Sequence, residues 1–136
     1  MKNYYDQQQE LQTALYRLES LKEKKELYFN MTQPGTVDYS KESVDGGVHK
    51  DALTEYVSRI EAIDICIERT EHEIEVLKKY LDKMEKCLRN MKGVYEKIFV
   101  YKYIDGLNVT QIVNRVNYSQ SDVYRKLQVI ERIIHE

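Results

Sequence analysis

Between residues 53 and 91, apolar side chains recur at alternating steps of three and four: Leu53, Tyr56, Ile60, Ile63, Ile67, Ile74, Leu77, Leu81, Met84, Leu88 and Met91. Thr70 is the one polar member of this seam, and Glu and Lys fill most of the outward positions. A repeat held near 3.5 residues describes a coiled-coil stripe, on a helix roughly 60 Å long at 1.5 Å per residue. Such a helix cannot bury its stripe alone. Residues 3–29 carry a shorter seam of Tyr4, Leu11, Ala14, Leu18, Leu21 and Tyr28, with Lys25 at a position where an apolar residue is expected and with Leu15 and Leu27 widening the stripe. The intervening stretch 30–50 is rich in Ser, Thr, Asp, Gly and Pro and reads as a mobile loop. A connector of that length lets the first helix fold back antiparallel on the second. The length left uncovered on the second helix calls for a partner, either a second copy of the chain or the C-terminal segment.

The pattern changes after Gly93. Residues 94–106 predict a helix with Val94, Ile98, Phe99 and Tyr101 on its apolar face and Gly106 as its stop. Two short helices follow, near 109–116 with Ile112, Val113 and Val116 inward, and near 120–134 with Val123, Leu127, Ile130, Ile133 and Ile134 inward. Their starts are written locally. Asn108 can cap the first while Gln111 reaches back to it, and Ser119 with Asp122 repeats the device. Asn117, in the connection, tolerates the left-handed backbone that a tight turn between crossing helices uses. This is the spacing of a helix-turn-helix, whose second helix enters the DNA major groove. The expected fold is all-α: a long antiparallel coiled-coil hairpin over 1–92, then a three-helix helix-turn-helix unit over 93–136.

The run YKYIDGLNVTQIVNRVNYSQSDVYRKLQVIERI (101–133) is similar to the C-terminal promoter-reading module of bacterial sigma factors. Together with its coiled-coil front half, the chain resembles the small phage late-gene transcription activators of the RinA and ArpU kind. The VDGG at Val44 to Gly47 looks like a feature of related phage proteins from Gram-positive bacteria. Val113 stands where that module prefers alanine and Asn117 where it prefers glycine, which predicts a slightly wider crossing of the two helices. The resemblance implies that the start of the last helix, at Ser119, Gln120, Ser121, Tyr124 and Arg125, faces base edges, with Lys126 near the phosphates. Thr110, Gln111 and Arg115 on the preceding helix would meet the backbone and fix register. The chemistry agrees, since Gln pairs bidentately with adenine and Arg with guanine. Arg125 and Lys126 also admit the plainer reading of solvated surface charges, but they follow a capped turn at recognition-helix spacing.

Composition narrows the partners. The net charge is −2, so attraction to nucleic acid must come from local placement of cations and not from bulk charge. Twelve tyrosines and no tryptophan are present. Tyr95 and Tyr101 read as packing residues, while Tyr118 and Tyr124 are open to either packing or base stacking. Cys66 and Cys87 lack a CxxC partner, and His49, His72 and His135 lack ligand spacing. No catalytic residue, metal or cofactor is therefore expected, and the thiols suit a reducing, cytoplasmic setting. Neither a signal peptide nor a membrane span is read. The reading is a non-enzymatic DNA-binding regulator, an activator working at a promoter with RNA polymerase on double-stranded DNA as a homo-oligomer held by the coiled coil. The resemblance places it in a bacterial host cell, encoded by a phage or prophage. Two other classes fit the same pattern: a small terminase-like DNA-packaging subunit, and a coiled-coil structural adaptor that binds no DNA.

Overall fold

A computed structural model describes residues 1–31 and 46–136, the side chains at 31 and 46–51 excepted. Among the described residues the chain is all-α, with helices α1 (Lys2–Met31), α2 (Gly46–Asn90), α3 (Val94–Phe99), α4 (Val109–Arg115) and α5 (Gln120–Ile134). Most of the segment expected as a loop over 30–50 lies outside the described residues. Its two edges are helical instead, since α1 runs to Met31 and α2 starts at Gly46. Glycine is tolerated there because the first N–H groups of a helix have no intrahelical partner to lose. No described helix is long and apolar enough to cross a membrane.

The described residues form two compact units, one of Thr13–Glu75 and one of Met1–Gln12 with Val76–Glu136. In the first, α1 and α2 run antiparallel, because Arg17 pairs with Glu73 at 3.2 Å while Lys25, further along α1, pairs with Asp64, earlier on α2. Tyr28 then stacks on Tyr56, ring centroids 5.6 Å apart. These ion pairs are half exposed and each contributes at most about 1 kcal/mol. The seam carries the stability: Ala14, Ile63 and Ile74 are buried, each large aliphatic gaining roughly 1.5–3 kcal/mol on burial. Lys25 is accommodated in the seam half-buried, with its ammonium paired to Asp64 on α2. Thr70 fits because its hydroxyl donates to the Cys66 carbonyl at 2.8 Å, so the one polar seam residue is buried with its bond made. Leu15 and Leu27 do not widen the stripe; they are 36% and 59% exposed. One partner helix covers a narrow seam and leaves the flanks to solvent.

In the second unit, Tyr4 from α1 and Leu81 and Leu88 from α2 share one apolar core with Ile98, Phe99, Ile112, Val123, Leu127, Ile130 and Ile134. The packing units thus divide the chain differently from the expected 1–92 and 93–136, because the first turns of α1 and the last of α2 bury their seam against the C-terminal helices. Tyr4 meets Phe99 edge-on at 5.9 Å, and Tyr5 meets Tyr103 at 6.0 Å and His135 at 5.4 Å. Burial raises the Tyr4 phenol above its usual pKa, with Glu85 adding and Arg89 opposing. Burial likewise raises that of Tyr103, with Glu131 adding.

The segment after α3 departs from the expected α-helix: Val100–Ile104 is a π turn, in which Asp105 N–H donates to the Val100 carbonyl at 2.9 Å. Gly106 ends it at φ +70°, a left-handed conformation that glycine adopts without strain. Gly93, between α2 and α3, has φ −66° and ψ 143°, a backbone conformation any residue adopts, so the break there does not depend on glycine's freedom, although a Cβ would have to displace the Glu96 carboxylate.

Candidate nucleic-acid interface

Local chemistry fixes both short helices. Gln111 N–H donates to Asn108 Oδ1 at 2.9 Å and Asn108 N–H donates to Gln111 Oε1 at 3.0 Å, a complete capping box that starts α4. Asp122 N–H donates to Ser119 Oγ at 3.3 Å and starts α5. Asp122's own carboxylate lies 3.8 Å from the Arg125 guanidinium, within the same helix turn. The connection turns without a left-handed residue: among the described residues no non-glycine has positive φ, and Val116 is extended at φ −116° and ψ 153°. Asn117 is therefore not used as expected; the extended Val116 redirects the chain, and its side chain stays partly buried against the core.

With Ile112 from α4 and Val123, Leu127 and Ile130 from α5 fully or almost fully buried, the two helices are locked against each other, α5 also packing on α3 and α4 on the π turn. The opposite face of α5 is open. Gln120, Ser121, Tyr124 and Arg125 are all exposed, and so are Thr110 and Gln111 on α4 and Ser119 at the turn. Tyr124 is 50% exposed and so is not a core residue. Gln111 and Ser119 already serve as capping partners, which leaves the Gln111 amide N–H₂ and the Ser119 hydroxyl proton as the donors they can offer outward.

Arg115 and Lys126 are placed differently from the other seven. The Arg115 guanidinium carbon lies 5.7 Å from the Tyr101 ring centroid, and the Lys126 ammonium lies 4.7 Å from Tyr118 and 5.5 Å from Tyr95. Tyr118 and Tyr95, like Tyr101, thus hold cations by their ring faces. Beside them opens a cleft of about 460 Å³, with Lys92, Lys97 and Tyr101 on one wall and Arg115, Asn117 and Tyr118 on the other. A smaller hollow of about 180 Å³ shares Lys97 and Tyr101 and reaches Arg89. Arg89 is occupied, bonded to Asp105 at 2.7 Å and to Glu85 at 2.9 Å, which holds its pKa above the ordinary value. Sequence reasoning missed the cleft. Its lysines sit in the break after α2 and in α3, and no local spacing connects them to Arg115.

The chain belongs to the family described as a protein of unknown function, DUF1492, whose model matches residues 33–135. No curated protein and no solved structure matches it.

Proposed function

We propose that this DUF1492 chain is a sequence-specific, double-stranded DNA-binding transcription regulator that reads a major groove with the first turns of α5. The observation that carries the reading is the pairing of a fully buried inner face of α5, with Val123 and Ile130 at 0% exposure, with an outer face of open hydrogen-bonding side chains directly after a capped turn. A helix held this rigidly can present Gln120 and Arg125 to base edges, while α4, with Thr110 and Gln111 at its start, meets the phosphates. The resemblance to phage late-gene activators supplies the biological role, activation at a promoter with RNA polymerase. Self-association through the long helices belongs to the same proposal. Val57 and Ile65 on α2 are 45% and 49% exposed and offer apolar surface to a second copy.

The test starts from genomic fragments of the source organism retained by the protein, whose affinities are then measured by fluorescence anisotropy. Gln120→Ala/Arg125→Ala is expected to lose discrimination at two base pairs, about 1–3 kcal/mol each, while still binding DNA non-specifically. Unchanged affinity and unchanged site preference in that variant would remove α5 as the reader.

A further inference from the structure

We propose that the cleft between α3 and the α4–α5 turn is a second nucleic-acid contact, a phosphodiester site that grips the DNA strand flanking the groove in which α5 lies. This rests on the DNA-binding reading and extends it to residues outside the helix-turn-helix. Three observations point the same way. Lys92, Lys97 and Arg115 converge on one concavity, and among the described residues none of them is paired with a carboxylate. Arg89, which lines the smaller hollow, is by contrast paired with both Glu85 and Asp105, so among the cations that line these two hollows it is the one already neutralised. Finally, the cleft adjoins the reading helix: Tyr118 in its wall lies two residues before Gln120 and carries the Lys126 ammonium.

Geometry names the class of ligand. A helix seated in the major groove has a sugar–phosphate strand on each side, about 12 Å apart across the groove. Thr110 and Gln111 at the start of α4 serve one side; the cleft lies at the other end of α4, where Arg115 and the turn are. Phosphate contacts there need cations without internal partners, and the overall charge of −2 means that these must be placed locally. Cations held on tyrosine faces, as Arg115 and Lys126 are, keep their charge and direction without being neutralised.

The experiment is a salt titration of binding to a mixed-sequence duplex, because counterion release does not depend on sequence. Removing two phosphate contacts in Lys92→Ala/Lys97→Ala lowers the slope of log K against log[salt] by about 1.8, and weakens binding about 60-fold at 0.1 M salt if the 1 M intercept is kept. Both lysines are exposed, so the melting curve should match that of the parent. Lys22→Ala/Lys24→Ala, in the other unit, changes net charge equally and is expected to leave the slope nearly as it was. A parental slope in Lys92→Ala/Lys97→Ala, or an equal drop in the control pair, overturns the cleft while the α5 reader stands. If the parent fails to bind duplex even at low salt, the reader falls and the cleft with it.

Discussion

Replacing Tyr4 by alanine should strongly destabilise the core that holds α4 and α5, although Tyr4 lies more than a hundred residues before those helices in sequence. Its ring is 6% exposed, it meets Phe99 edge-on at 5.9 Å, and it belongs to the same core as Ile112, Val123 and Ile130. Removing a buried aromatic side chain costs about 3–5 kcal/mol, of which the ring-on-ring geometry accounts for about 0.5–1.5 kcal/mol. Against a total stability of about 5–15 kcal/mol this is a large fraction. Tyr5, which packs on Tyr103 and His135, and the Lys2 ammonium, which donates to the Glu136 backbone oxygen at 2.9 Å, add further ties between the first turn of α1 and the end of the chain. Urea unfolding of the whole chain followed by circular dichroism is the assay. Tyr4→Ala should lower the midpoint by at least about 1 M at an unchanged slope, while Tyr4→Phe, which keeps the ring, should stay within about 1 kcal/mol of the parent. The isolated segment 93–136 should not fold cooperatively. A loss below about 1 kcal/mol in Tyr4→Ala, or a stably folded 93–136 fragment, would refute the reasoning and restore a boundary near residue 92.

Two further outcomes follow from the same core. Tyr4 and Tyr103 have phenol pKa values raised in the fold, mainly by burial, so the folded state binds more protons than the unfolded chain above the ordinary value near 10. The stability they contribute is whole below about pH 10 and is lost as pH rises through the raised values; melting temperature should therefore fall steeply there, and less steeply in Tyr4→Phe/Tyr103→Phe. Asn108→Ala breaks the capping box of α4 and should cost about 0.5–2 kcal/mol, read as a lower melting midpoint, with Asn108→Asp close to the parent.

Much of this fold was legible because its determinants are local. The α2 seam could be read off spacing alone, and Ile63, Thr70, Ile74, Leu77, Leu81 and Leu88 are buried where the repeat places them, with only the outermost members Leu53 and Met91 about half exposed. The capping pair at Asn108 and Gln111 and the left-handed stop at Gly106 were equally visible, since each depends on residues within one turn. What sequence could not show depends on contacts far apart along the chain. The assignment of Met1–Gln12 to the C-terminal core rests on Tyr4 meeting Phe99, and the cleft on Lys92 and Lys97 lining one concavity with Arg115. The π turn over Val100–Ile104 left no signal because the run VYKYI is apolar or aromatic at four of its five positions and fits several helical periods. Lys126 could be placed at the start of α5, but its turn onto Tyr118 and Tyr95 could not be foreseen from spacing.

The claim on which the account turns is that the residues after Ser119 sit inside a DNA groove. An iron chelate attached at Ser121→Cys tests this directly, with Cys66 and Cys87, both exposed thiols, replaced by serine so that the label goes to one place. Bound to its genomic site, the labelled protein should cut both strands in a cluster confined to a few base pairs around one major groove. Cutting spread evenly along the bound fragment, or none from protein that remains bound, would contradict it.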